Sequence, residues 1–422
     1  MSDPARAAAL DLLTAALGRK AGMETALDTA GFAALSAQDR GFARALVMVA
    51  LRRLGQIDRL LAARLEREPP EPVRMILRLG VAQLFWLDTP AYAAVDSSVA
   101  LAGAIRETRG FKALVNAVLR RIGRDGPPAN DPATLAPGWL YARWRAAYGE
   151  SEAKALASVI AEEPATDLTP RDSADAAALA EALEATVLQG GSLRRAERGR
   201  IEAWPGFAEG RWWVQDAAAA IPARLVEAKS GETVLDLCAA PGGKALQLAA
   251  AGASVTAVDR SAPRLKRLAE TLERTGLSAE TIAADAEKWP NRRLFDAVLL
   301  DAPCTATGTF RRNPDVLWTL RPGDIVKLAA TQSRLMDAAA ARVKPGGRLV
   351  YCVCSLEPEE GEAQAAAFLK RHDAFAADPI REGEGGAPAA GVTRDGWLRL
   401  LPHHLSGGMD GFFVARFGRR RD

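Results

Sequence analysis

From Gly231 onward, five short apolar runs, "TVLDLCAA", "SVTAVD", "TIAAD", "FDAVLLDAP" and "GRLVYCVCS", are separated by longer stretches such as "SAPRLKRLAETLERTG", whose apolar residues recur every three or four positions. Parallel strands cannot be joined by tight turns, because each needs a crossover of a dozen or more residues that is usually a helix. Short apolar runs alternating with helical stretches therefore predict an α/β unit with a doubly wound, mostly parallel sheet of Rossmann-like kind. "GFFVARF", near the C-terminus, reads as its last strand.

The first 126 residues follow a different rule. "GFARALVMVALRRL" and "IDRLLAARL" repeat at helical spacing with no alternating strand pattern, so an all-α N-terminal domain is expected over 1–126. "GRDGPPANDPATLAPG" breaks that periodicity, placing a linker at 127–138. Residues 139–230 open with a helical stretch and continue with weak patterning; we read them as an N-terminal extension of a catalytic core spanning 231–422. The 422 residues are too many for one ordinary core, in keeping with this division. The net charge is +3, but residues 1–126 hold 18 basic against 13 acidic residues, an excess that suits a polyanionic partner. No leader pattern and no bilayer-spanning apolar run is present, so a soluble, cytoplasmic protein without membrane partners is expected.

In a doubly wound sheet, ligands bind beyond the carboxyl ends of the strands, and the first strand-to-helix turn holds the cofactor. Here that turn is "DLCAAPGGK", Asp236 to Lys244. Gly242 and Gly243 let backbone approach a ligand, and Asp259 ends the next strand where a carboxylate can take ribose hydroxyls. The turn is neither G-x-G-x-x-G nor a P-loop, which disfavours a dinucleotide or a nucleoside triphosphate. Asp285 follows the third strand and Asp301 ends the fourth, so three aspartates face one crevice and suit an adenosine-like ligand.

Four cysteines, Cys238, Cys304, Cys352 and Cys354, are too few for a disulfide framework. Their spacing and the three histidines, His372, His403 and His404, do not make a zinc set, so no metal is expected. Cys304 and Cys354 fall at strand ends on the edge that carries the aspartates, where a thiolate beside the cofactor could attack an electrophilic carbon. Cys238 and Cys352 read as small buried hydrophobes.

Five blocks, "VLDLCAAPGGK", "VTAVDRSAPRLKRL", "DAPCTATGTFRRNPDVLW", "VYCVCSLEPEEGE" and "GGMDGFFVARF", together resemble the Sun/RsmB-type RNA cytosine methyltransferases over residues 205–417. "DRGFARALVMVALRRLGQID" and "FKALVNAVLRRI" are similar to the NusB-type RNA-binding domain that rRNA-modifying members carry. The resemblance implies S-adenosyl-L-methionine as cofactor, held by Cys238, Ala239, Ala240, Pro241, Gly242, Gly243, Lys244, Asp259, Asp285 and Asp301. It implies Cys354 as the nucleophile at carbon 6 of a cytosine, Cys304 as the group that assists release, and Asp301 as a contact to the base. A single-stranded or flipped RNA base is then required, with Arg311 and Arg312 as candidate phosphate contacts. "PATDLTPRD", residues 164–172, departs from the family's usual stretch, and Asn313 stands where relatives often carry His or Lys. The expected protein is a monomer acting on RNA, with small-subunit rRNA as the leading substrate; a tRNA methyltransferase and a non-catalytic RNA-binding assembly factor are the alternatives.

Overall fold

The computed structural model describes residues 3–18, 27, 29–197 and 199–421. The chain divides into two units, Met1–Glu163 with Phe310–Leu320, and Pro164–Thr309 with Arg321–Asp422.

The first unit is helical: α1 (Pro4–Leu17), α2 (Ala37–Arg52), α3 (Leu54–Ala62), α4 (Glu71–Trp86), α5 (Ala91–Ala104), α6 (Lys112–Asp125), α7 (Gly138–Tyr148) and α8 (Glu150–Ile160). Local chemistry fixes several helix starts. Asp3 accepts from the Ala5 backbone N–H at 3.0 Å ahead of Pro4, and Ser36 accepts from that of Asp39 at 3.0 Å, satisfying donors that a helix leaves orphaned. Leu13, Leu46, Leu51, Ile76, Leu119 and Ile122 meet in one core. Residues 139–163 belong to this unit, where the sequence pattern assigns them to the N-terminal extension of the catalytic core. Long-range contacts are the reason: fully buried Trp144 packs against Phe310 at 5.8 Å, and Arg52 donates to the Ile160 carbonyl at 3.3 Å. The segment expected as a linker is packed as well, with Leu135 and Ala136 buried.

The second unit opens with a four-stranded antiparallel sheet. It comprises β1 (Thr166–Pro170), β2 (Thr186–Val187), β3 (Leu193–Arg195) and β4 (Trp212–Val214), in the order β2-β3-β1-β4, with α9 (Ala176–Ala182) between β1 and β2. Leu168, Leu179, Leu193, Trp204 and Trp212 form its own small core. After α10 (Ala217–Leu225) comes the main sheet: β5 (Thr233–Leu237), α11 (Gly243–Ala250), β6 (Ser254–Asp259), α12 (Ala262–Thr275), β7 (Glu280–Ala283), β8 (Phe295–Asp301), α13 (Pro322–Ala340), β9 (Val343–Val353), α14 (Glu362–Arg371), β10 (Phe375–Ala377), β11 (Leu398–Leu400) and β12 (Phe412–Arg419).

The strand order is β10-β12-β9-β8-β5-β6-β7, with β11 also on β12. Strands β5 to β9 run parallel, and β12 is antiparallel to β9. Helices cover both faces, which is why the strands read as unbroken apolar runs. Along β8, Ala297 and Leu299 enter one core while Val298 and Leu300 enter the other; along β9, Val350 and Cys352 oppose Leu349, Tyr351 and Val353. The chain winds from β5 outward through β6 and β7, then returns to place β8 on the other side of β5. The switch point between β5 and β8 is where such sheets open a crevice. Among the described residues no helix is long and apolar enough to cross a membrane.

Candidate active site

A cavity of about 280 Å³ lies at that switch point, lined by Cys238, Ala240, Asp259, Asp285, Asp301, Cys304 and Cys354 among others. All three strand-end aspartates and both strand-end cysteines singled out in the sequence share it. A larger cavity, about 670 Å³, is lined by Arg171, Arg224, Ala251 and Gly276 and contains none of these residues. It lies by the C-terminal ends of α11 and α12, away from the carboxyl ends of the strands, so volume is a poorer guide here than chemistry.

The turn after β5 divides its work. Cys238 sits at φ 62° and Ala240 donates its backbone N–H to Asp259 at 3.1 Å, so both face the cavity, whereas Ala239 is buried and belongs to the core. Pro241 follows a cis peptide bond. Gly242 has φ 112°, and a Cβ there would stand 2.2 Å from the Leu268 side chain, so both the conformation and the fit to α12 demand glycine. Gly243 begins α11 beside Gln215. Lys244 points under the crevice, where its ammonium meets Asp301 Oδ2 at 2.7 Å and the Phe412 ring at 5.2 Å. Burial alone would lower the Lys244 pKa, but the Asp301 carboxylate, together with Cys352 and Cys354, offsets this and holds it above its ordinary value.

Asp259 ends β6 and is held by two backbone donors, Ala240 and Ser261, the latter at 2.8 Å. Asp285 is exposed at the rim and caps the following turn by accepting from the Glu287 N–H at 3.0 Å. Asp236, on β5 below them, is completely buried, and neither carboxyl oxygen has a hydrogen-bond partner. Burial, with Asp301 adding to it, pushes its pKa up to about 8.

The two loops carrying the thiols converge. Cys304 Sγ and Cys354 Sγ lie 3.5 Å apart, both half-buried. The hydrogen bond to Cys354, then burial, raises the Cys304 pKa well above the ordinary thiol value. At this distance either sulfur can donate to the other. Cys352 is fully buried on β9 with its Sγ 3.5 Å from Asp301 Oδ1, and burial raises its pKa too. Burial pushes Cys238 up to about 12. Neither is poised as a nucleophile.

Arg311, a sequence candidate for phosphate contact, is only 2% exposed, so its guanidinium is committed to the interior; Arg312 is exposed. Sequence reasoning also missed Glu360 and Gln332. Both are fully buried and grip the thiol-bearing loops, and the only written signal was an acid close after the "CS" of Cys354.

The site fits a nucleoside cofactor: carboxylates at Asp259 and Asp285 can accept from hydroxyls, and Ala240, Val258, Ala284, Ala286, Pro303 and Leu335 supply apolar walls for a base. A doubly wound sheet with such a crevice and paired thiols at its switch point has the make-up of a methyltransferase that works through a cysteine. A family model for the 16S rRNA methyltransferases RsmB/F matches residues 223–418, and the NusB family model matches residues 3–124. Ribosomal RNA small subunit methyltransferase B of Pseudomonas syringae is 36% identical over 435 residues, 97% of this chain and 96% of that protein. A probable ribosomal RNA small subunit methyltransferase B of Synechocystis is 36% identical over 413 residues, 90% and 91% of the two chains. The crystal structure of PH0851 superposes with a TM-score of 0.79 at 26% identity, covering 99% of each chain. The chain belongs to the RsmB/F family of rRNA methyltransferases.

Proposed function

We propose that Cys354 is the nucleophile and Cys304 the release base of this S-adenosyl-L-methionine-dependent RNA (cytosine-C5)-methyltransferase, and that its target cytosine lies in small-subunit rRNA. The observation that carries this reading is the 3.5 Å approach of the two thiols at the rim of the crevice that holds the strand-end aspartates. The names of the relatives, which specify the small ribosomal subunit, support the choice of RNA.

Carbon 5 of cytosine is a weak nucleophile. Addition of the Cys354 thiolate to carbon 6 breaks the 5,6 double bond and moves its electrons toward carbon 5, while the ring nitrogen takes up a proton. That proton comes from the Asp301–Lys244 pair, in which the ammonium is the proton-bearing member. When bound, S-adenosyl-L-methionine supplies an electrophilic methyl group; Asp259, Asp285 and the Cys238–Ala240 turn are the residues that would hold it. Once Cys354 is bonded to carbon, the sulfur that raised the Cys304 pKa no longer accepts its hydrogen bond or carries charge. Cys304 then loses its proton to solvent and can take the one from carbon 5. The electrons of that C–H bond restore the double bond, the Cys354 sulfur leaves carbon 6, and the ring nitrogen gives back its proton.

The target base must leave its stack to reach the thiols. Everything this chemistry needs lies on one chain, which supports a working monomer, and a thiol pair that must stay reduced suits the cytoplasm. The test is methyl transfer from labelled cofactor to small-subunit rRNA and to tRNA, both from cells lacking the enzyme, followed by mapping. Label at a 16S cytosine, lost in Cys354→Ala, is expected. Label in tRNA alone would move the substrate, and full transfer by Cys354→Ala would remove the nucleophile.

A further inference from the structure

We infer that Glu360 is a positioning residue that sets the distance between the two thiols by holding both of their loops on one buried carboxylate. This rests on the two-thiol reading above and goes beyond it.

Glu360 is fully buried and fixed at its backbone: its carbonyl accepts from the Tyr351 hydroxyl at 2.6 Å, and its N–H donates to the Glu357 carbonyl at 3.0 Å. The carboxylate therefore cannot drift relative to β9. On one oxygen it accepts from the Thr305 backbone N–H at 3.0 Å and from Gln332 Nε2 at 2.9 Å. On the other it accepts from the hydroxyls of Thr305 and Ser355, each at 2.5 Å. Gln332 Nε2 also donates to the Pro303 carbonyl at 3.0 Å.

Thr305 is the residue after Cys304 and Pro303 the residue before it, so Cys304 is clamped from both sides. Ser355 is the residue after Cys354. The Thr307 hydroxyl also lies between them, 3.5 Å from that of Thr305 and 3.4 Å from that of Ser355, but Glu360 is the group that holds both at 2.5 Å. A buried carboxylate bonded to four donors is rigid, since loosening any one of them costs the full desolvation of that group. Further bonds tie the loops together without touching the sulfurs: Gly308 donates to the Cys354 carbonyl at 3.0 Å, and Leu356 donates to Thr307 Oγ1 at 2.9 Å.

The two hydroxyls lie 3.0 Å from each other, so each deletion touches both loops, but each acts most on the thiol next to it in sequence. Deleting the Thr305 hydroxyl frees the Cys304 side, so proton removal from carbon 5 slows and the protein–RNA bond outlives its normal lifetime. Deleting the Ser355 hydroxyl frees the Cys354 side, so bond formation slows. A merely structural role would move both steps together.

The experiment uses the full chain with small-subunit rRNA and the methyl donor. It measures turnover, the rate of adduct formation in a single turnover, and the fraction of enzyme covalently held by RNA at steady state on denaturing gels. Thr305→Val should lower turnover about tenfold or more and raise the adduct fraction, with formation changed less than about threefold; misplacements of this kind cost rates of up to about 100-fold. Ser355→Ala should slow formation about tenfold and leave the adduct fraction at or below wild type. Glu360→Gln should impair both steps, and its melting temperature is recorded beside that of the single-hydroxyl variants, which are the milder probes if it folds poorly.

Equal loss of formation and release in Thr305→Val and Ser355→Ala, or no effect in either, would overturn the inference. Cys304→Ala run alongside separates the two levels of failure. If that variant accumulates adduct while Thr305→Val does not, the positioning role alone falls; if it accumulates none, the two-thiol reading falls and takes this inference with it.

Discussion

Two ion pairs in the second unit, one buried in the small antiparallel sheet and one at the edge of the crevice, are built on opposite principles. Arg194 of β3 meets Asp167 of β1 in a two-pronged contact at 2.7 and 2.8 Å, and its remaining donors reach the Ser406 and Gly408 carbonyls at 2.8 and 2.6 Å. Asp167 also accepts from the Ala217 N–H at 3.1 Å. The Lys244–Asp301 pair has one contact at 2.7 Å, Asp301 is 30% exposed into the cavity against 2% for Asp167, and neither carboxyl oxygen of nearby Asp236 has a hydrogen-bond partner. Saturation is what a structural pair needs, because a buried charge with unmatched donors is costly. In the proposed mechanism it is the exposed side of Asp301 that meets the ligand.

The largest effects should separate the two pairs. Lys244→Met removes the proton-bearing group and should cost about 10²- to 10⁴-fold in methyl transfer, while the melting temperature moves little. Arg194→Met leaves Asp167 buried without its partner and should cost about 3–5 kcal/mol of stability, with transfer per folded molecule unchanged. Calorimetry and single-turnover assays on both variants check this; a Lys244→Met that unfolds without losing specific activity would erase the contrast.

Asp236 gives the next effect. Its folded pKa, about 8, lies above the ordinary aspartate value. As pH rises past the ordinary value the unfolded chain gives up this proton and the folded one does not, so the residue subtracts stability increasingly up to about 8 and no further beyond it. Asp236→Asn should therefore raise the melting temperature more at pH 8.5 than at pH 5, and an equal shift at both would show that the carboxyl titrates normally.

Gly242→Ala follows, losing about 1–3 kcal/mol through the left-handed backbone and the Leu268 clash, with a raised KM for the methyl donor. Cys352→Ala is the smallest: it deletes a buried sulfur and should cost about 1 kcal/mol with turnover within about threefold of wild type.

The same contrast explains what could be read in the letters. The main sheet was legible because both faces are buried: Val298 to Leu300 and Leu349 to Val353 are apolar without interruption, and the strand ends announce Asp259, Asp301, Cys304 and Cys354. The small sheet was not, because β2 is two residues and β3 and β4 three each, too short for alternation to register. Its core depends on Trp204 and Trp212 meeting across the fold at 6.1 Å. Assignment of residues 139–163 to the helical unit hinges likewise on Trp144 finding Phe310 far along the chain. Lys244 was legible as part of a motif but not as the partner of Asp301, and Glu360 gave no pattern that distinguishes its buried carboxylate from that of exposed Glu359 beside it.

The central claim is that one thiol bonds to RNA and the other lets go. It is tested most directly by denaturing-gel and intact-mass detection of a protein–RNA adduct, with wild type, Cys304→Ala and Cys354→Ala each incubated with small-subunit rRNA and S-adenosyl-L-methionine. The account predicts a methylated adduct that accumulates in Cys304→Ala and is absent from Cys354→Ala. An adduct that survives in Cys354→Ala, or none in Cys304→Ala while wild type still methylates, would contradict it.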